Sequence, residues 1–212
     1  MHKSFWDTRW NEGRIAFHES EPHQHLVGAF EQLSLSPGAH VFVPLCGKTV
    51  DIDWLLSRGQ KVSGIEWNRD AVLEVFDRLE ITPKARNLGA LEELKGGDLT
   101  LWVGDFFELQ SEQLGAVDAI YDRAALVALP TDTRKNYSRH LSQLCGGAPQ
   151  LLISYDYDQS QTDGPPFSVP ESEIRRLYGS RFHITNAASA AINGPLAARC
   201  EGQEQGWIIK AV

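Results

Sequence analysis

Short apolar runs recur along the chain, separated by stretches in which apolar residues return every third or fourth position. Val41 to Leu45, Lys61 to Ile65, Leu99 to Val103, Val117 to Tyr121 and Leu151 to Tyr155 read as buried strands. Between them, Asp51 to Arg58 reads as a helix stopped by Gly59. Asn68 is placed to cap a helix whose Ala71, Val72, Val75, Phe76 and Leu79 share one face. Thr131 opens another helix, carrying Tyr137, Leu141 and Leu144, and a last one runs from near Pro170 to Tyr178 before Gly179. Strands alternating with helices predict a mostly parallel sheet covered on both faces. The ends differ. Residues 1 to about 36 read as a helical lead-in, with Phe5, Trp6, Arg9 and Trp10 at near-helical spacing. Arg181 to Thr185 and Gly206 to Val212 resemble two strands with no convincing helix between them, so an antiparallel finish is expected.

Composition narrows the class. A chain of 212 residues with 42% hydrophobic and 23% charged residues has ample material for one α/β domain. A formal charge of −8 argues against nucleic acid as a partner, because phosphate binding needs clustered Lys and Arg. Cys46, Cys145 and Cys200 are odd in number and widely spaced, which supports neither a disulfide framework nor a zinc knuckle. Reduced thiols in a cytoplasmic protein is the economical reading. No apolar signal-peptide core precedes residue 25, and nothing approaches 18 consecutive apolar residues, so neither a signal peptide nor a membrane span is expected.

The chemistry concentrates at the strand exits. Val41-Phe42-Val43-Pro44-Leu45-Cys46-Gly47 reads as a strand and tight turn, and Glu66 ends the next strand. In open α/β sheets the cofactor lies beyond the first strand, and an acid at the tip of the second accepts hydrogen bonds from ribose hydroxyls. No G-x-G-x-x-G is present, and Gly47-Lys48-Thr49 lacks the first glycine of a P-loop, since Phe42 stands there. An adenosine-containing cofactor without a phosphate cradle is therefore favoured. The later exits carry Gly104-Asp105-Phe106-Phe107, Asp122-Arg123 and Asp156-Tyr157-Asp158. Asp105 either caps the segment after it or, with Phe106, edges an adenine. Asp51 and Asp53 sit where the macrodipole favours negative charge at a helix start, a structural role. Arg123 either pairs with Asp122 or Asp105, or faces the cleft to meet a carboxylate or anionic substrate. Cys46 has no His/Asn pair to activate it and reads as a buried thiol. The seven His residues show no metal-ligand spacing.

Several blocks resemble the thiopurine S-methyltransferase family, in its bacterial branch. They are Trp10 through His18, Val43 through Lys48, Gly104 through Phe107, Tyr121 through Pro130, and Asp156 through Gln159 with Gly164 through Val169. The match runs in order from about Trp6 to at least Tyr178. It implies a Rossmann-like, seven-stranded, mostly parallel sheet with an antiparallel C-terminal strand, in one domain over residues 1–212 whose first 36 residues cap the site. It further implies S-adenosylmethionine as cofactor, S-adenosylhomocysteine as product, and methyl transfer to thiopurines or other aromatic and heterocyclic thiols by in-line displacement. Carried over by position, Trp10, Leu45, Glu66 and Arg123 contact the cofactor, Asp105 and Phe106 lie by its adenine, and Phe17 lines the acceptor pocket. Arg123 would favour the thiolate form of the acceptor, which makes it the catalytic candidate. Arg199 is the one C-terminal candidate. Selenium or tellurium compounds are alternative acceptors in related bacterial proteins. The partner expected is a small-molecule thiol or chalcogen compound, met by a monomer. From a different class, a nucleotide-binding protein on a related sheet would need the phosphate cradle that Pro44 to Thr49 does not spell.

Overall fold

The computed structural model describes residues 3–15 and 18–212. Helix α1 spans Lys3–Asn11 and α2 spans Gln24–Ala29, continued by a 3-10 turn to Leu33. Alternation then begins with β1 (His40–Pro44), α3 (Asp51–Ser57), β2 (Lys61–Glu66) and α4 (Arg69–Arg78). A hairpin follows, β3 (Lys84–Asn87) and β4 (Glu92–Gly96), then β5 (Leu99–Val103), α5 (Ser111–Leu114), β6 (Ala119–Asp122), α6 (Thr131–Leu144) and β7 (Gln150–Tyr157). The chain ends with α7 (Glu171–Tyr178), β8 (Phe182–Ala191), α8 (Gly194–Ala197) and β9 (Gly202–Ala211).

One nine-stranded sheet forms in the order β3-β4-β5-β2-β1-β6-β7-β9-β8. The seven strands from β5 to β8 are the expected mostly parallel core, with β9 inserted antiparallel between β7 and β8. The hairpin extends the β5 edge to nine. Its pattern carries no strand signal, because Lys84 to Asn87 is exposed throughout and only Leu94 of β4 is buried. Backbone pairing and the Arg86–Glu93 contact across the ladder hold it instead.

Strand alternation sorts the core into two layers. Val41, Val43, Val62, Leu99, Leu101 and Tyr121 pack with Ile52, Leu55, Val72, Val75 and Phe76 of α3 and α4 on one face. Phe42, Ile65, Trp102, Ile120, Leu152 and Trp207 pack with Tyr137, Leu141 and Ile174 of α6 and α7 on the other. Asn68 caps α4 as its pattern predicts, Oδ1 accepting the Ala71 N–H at 3.0 Å. The two last strands are longer than their apolar runs, because Asn186 to Ala191 carries only alanines and polar residues and Gly202 to Gln205 is glycine and polar residues. The short helix α8 lies between them, where the sequence pattern shows no helix.

Candidate active site

Strand order reverses between β1 and β6, and a cavity of about 790 Å³ opens beyond the carboxyl ends of the strands on either side of that point. Trp10, Leu45, Glu66, Asp105, Phe106 and Arg123 all line it. Phe17 lies outside the described residues.

Two backbone positions shape the floor. Leu45 has φ 47° directly after β1, and Ala124 has φ 57° directly after Arg123. Left-handed backbone at a side chain with a Cβ costs about 1–2 kcal/mol, and such strain collects at functional sites. Gly47, at φ 52°, has a second reason to be glycine: a Cβ there would stand 2.5 Å from His18 Nε2. That imidazole nitrogen accepts the Lys48 N–H at 2.9 Å and so ties the lead-in segment to the turn. Burial holds the His18 pKa down to about 4, so the ring stays neutral and keeps accepting at neutral pH.

Glu66 is buried at the tip of β2. Oε2 accepts the Gly47 N–H at 3.0 Å and Oε1 the Asn68 N–H at 2.8 Å. Burial pushes its pKa up, and those N–H groups pull the other way. Each oxygen keeps lone-pair capacity for a further donor. Cys46, beside it, is buried with its thiol pKa pushed well up by burial and by the Glu66 charge, which fits the inert reading.

Asp105 caps the 3-10 turn Phe106–Glu108, Oδ1 accepting the Phe107 N–H at 3.0 Å, and also borders the cavity. The Phe106 ring is packed among Phe107, Tyr137 and His140. Trp67 and Phe107, both exposed, stand at the neighbouring exits and line the same cavity.

Arg123 takes neither structural partner that its neighbourhood in sequence offers. Asp122 points into the core, where Oδ1 accepts from the Leu126 N–H, and Oδ2 from the Tyr137 hydroxyl and the Gln150 amide. Burial raises that carboxyl to about 6. The Arg123 guanidinium turns toward the cavity, 2.7 Å from Glu19 and 3.7 Å from Asp51. Burial works against its charge, but the Tyr121 hydroxyl and the Asp51 and Glu19 carboxylates outweigh it and raise its pKa.

Asp51 does more than begin α3. It is 1% exposed, and accepts from the His23 N–H, the Thr49 hydroxyl and the Tyr121 hydroxyl. Asp53 has the structural role alone, paired with Arg78. The sequence pattern does not mark Glu19 or the stretch Asn193 to Leu196 as cavity residues, whereas Trp67, at the exit of β2, and Arg199, the C-terminal candidate, both line the cavity. Only the topology brings these segments together.

Solved structures with the same fold include a 1,6-didemethyltoxoflavin-N1-methyltransferase from Burkholderia thailandensis with bound 1,6-didemethyltoxoflavin and S-adenosylhomocysteine. Its TM-score is 0.65 at 16% identity, over 99% of this chain and 87% of that one. An S-adenosylmethionine-dependent methyltransferase from Anabaena variabilis aligns with TM-score 0.63 at 15% identity, over 99% and 94%. The architecture is therefore that of class I S-adenosylmethionine-dependent methyltransferases. In sequence, the thiopurine S-methyltransferase family model matches residues 1–204. A thiopurine S-methyltransferase of Xanthobacter autotrophicus is 45% identical over 211 residues, 99% of both chains. Another, of Gluconobacter oxydans, is 42% identical over 203 residues, 96% of this chain and 92% of the relative. The chain belongs to the thiopurine S-methyltransferase family. The alternative of a nucleotide-binding protein of another class is not favoured.

Proposed function

We propose that the protein methylates the sulfur of small aromatic or heterocyclic thiols, thiopurines among them, with S-adenosylmethionine as donor. Glu66 carries the reading: a buried carboxylate at the tip of β2, held from behind by two backbone N–H groups and open to the cavity. The donor set fits this cofactor. A carboxylate is present for ribose hydroxyls, aromatic rings stand at the β5 exit, and the turn after β1 has no phosphate-cradling glycine series. The cavity volume lies within the range of small-molecule sites.

When bound, S-adenosylmethionine supplies a methyl group already activated by its sulfonium charge. Glu66 accepts from the ribose, Asp105 and Phe106 border the adenine, and Leu45 offers the strained turn. Trp10 faces the cationic end. Its indole borders the cavity, and a sulfonium against an aromatic face is worth roughly 0.5–2 kcal/mol. Arg123 holds the acceptor's sulfur as thiolate, so no strong general base is required of the chain. Rate then comes chiefly from orientation.

Residues 1–36 act as the cap of a single catalytic unit, a reading supported by Trp6, Arg9 and Trp10 of α1 at the cavity. The protein works as a monomer on small molecules, with its charge of −8 unsuited to nucleic acid. Three free, buried cysteines suit a reducing cytoplasm, and no described helix is long and apolar enough to cross a membrane. The test is calorimetric titration with S-adenosylhomocysteine, NAD and ATP. Micromolar binding of the first alone supports the reading, and its absence overturns it.

A further inference from the structure

We propose that Glu19 is an internal stand-in for the anionic sulfur of the acceptor, and that acceptors bind by displacing it from Arg123. The inference rests on the methyltransferase reading and adds a specificity-determining residue to it.

Two carboxylates face the Arg123 guanidinium, and they differ in kind. Asp51 is fixed. It is 1% exposed, its oxygens are engaged by His23, Thr49 and Tyr121, and it stands back at 3.7 Å. Glu19 makes the closer contact, 2.7 Å to the other terminal nitrogen, yet its side chain is 47% exposed. It lies in the segment between α1 and α2 and has no second ion pair among the described residues. An ion pair with one well-solvated partner is weakly held and screened by salt. Arg123 itself is 9% exposed and cannot follow Glu19 into solvent. Exchange therefore removes Glu19 and leaves the guanidinium in place for another anion.

Both Glu19 and Arg123 border the cavity, so an acceptor reaching Arg123 meets this contact. A neutral ligand gains nothing from replacing a carboxylate on a guanidinium. A thiolate or selenolate replaces one negative charge with another. The contact thus selects for sulfur that is already ionised near neutral pH, as in aromatic thiols and thiopurines, over aliphatic thiols of ordinary pKa. An acceptor's apparent affinity is lowered by the fraction of molecules in which Glu19 occupies Arg123.

The experiment uses the full chain saturated with S-adenosylhomocysteine, so that no turnover occurs. 4-Nitrothiophenolate, followed by its absorbance, is titrated beside its neutral thioether, 4-nitrothioanisole. Glu19→Gln is expected to tighten thiolate binding about three- to tenfold, leaving the thioether and S-adenosylhomocysteine unchanged. Glu21→Gln, two residues away on the same exposed segment, is expected to change none of the three. Unchanged or weaker thiolate binding in Glu19→Gln overturns the proposal. So does equal tightening of both ligands, or an equal effect of Glu21→Gln, which would mark a long-range field in place of a contact. A wild-type chain that fails to bind S-adenosylhomocysteine would instead overturn the methyltransferase reading.

Discussion

Replacing Glu66 by glutamine separates what that side chain does for the fold from what it does for the ligand. In the wild type, its two oxygens each receive one backbone N–H, from Gly47 at 3.0 Å and Asn68 at 2.8 Å. Glutamine keeps the shape but offers one oxygen, so one of those N–H groups must face an amide NH2. An unmet buried donor costs about 1–3 kcal/mol. Against that stands the relief of a charge that burial disfavours, as the raised pKa of Glu66 records. The net loss of stability is expected at about 1–2 kcal/mol, a downward shift of the urea midpoint of about 1 M or less. Ligand binding suffers more. Ribose hydroxyls lose a charged acceptor, worth about 1.5–3 kcal/mol, which weakens S-adenosylhomocysteine about 10- to 150-fold. Urea titration and calorimetry on the same preparation measure the two quantities independently. A variant that folds and binds within twofold of wild type would refute the ribose contact. A variant whose stability falls by 4 kcal/mol or more would refute the offset between the lost bond and the relieved charge.

Asp51→Ala is expected to cost about 3–5 kcal/mol in urea unfolding, since it strands the His23 N–H and Tyr121 hydroxyl and removes a buried counter-charge from Arg123. A loss below 1 kcal/mol would show that the network relaxes. Gly47→Ala meets both a positive φ and the His18 ring, with an expected loss of about 1–3 kcal/mol in thermal or urea melts and weaker ligand binding, as the lead-in segment is pushed from the turn. Acid sensitivity should centre on Glu204. Burial alone would raise its pKa, but the His23 hydrogen bond and charge, with Tyr155 and His25, bring it down to about 2. A carboxyl depressed on folding contributes stability above its unfolded pKa, and that contribution is lost as pH falls from about 4.5 to 2, on the order of 3 kcal/mol. Asp122, raised to about 6, acts in the opposite sense, its contribution growing as pH falls from 6 toward 4. Urea midpoints between pH 5 and 2.5 should therefore fall less in Glu204→Gln than in wild type, and parallel curves would contradict the assignment.

Features that depend on near neighbours along the chain are legible in the residues alone. The apolar runs locate every strand of the parallel core, Asn68 announces its own cap, and a lone acid after the second strand marks the ligand side of the sheet. Features that depend on distant pairing are not. The β3–β4 hairpin has polar, exposed residues held by backbone bonds, so hydrophobic periodicity passes over it. Arg123 reads as a cleft residue, yet its partner Glu19 stands over 100 positions earlier. Asp51 looks like an ordinary helix-start acid because its hydroxyl partner, Tyr121, is 70 positions away. One of the two reasons Gly47 must be glycine lies in a histidine from the lead-in segment. α8 reaches the cavity only because β8 and β9 pair at the far edge of the sheet.

Methyl transfer itself is the most direct test of the account. The purified protein, given methyl-labelled S-adenosylmethionine and 6-mercaptopurine, should release a product carrying one labelled methyl group on sulfur, with S-adenosylhomocysteine in equal amount and no label left on the chain. Saturable cofactor binding without sulfur methylation of any aromatic or heterocyclic thiol, or label found on nitrogen instead, would contradict it.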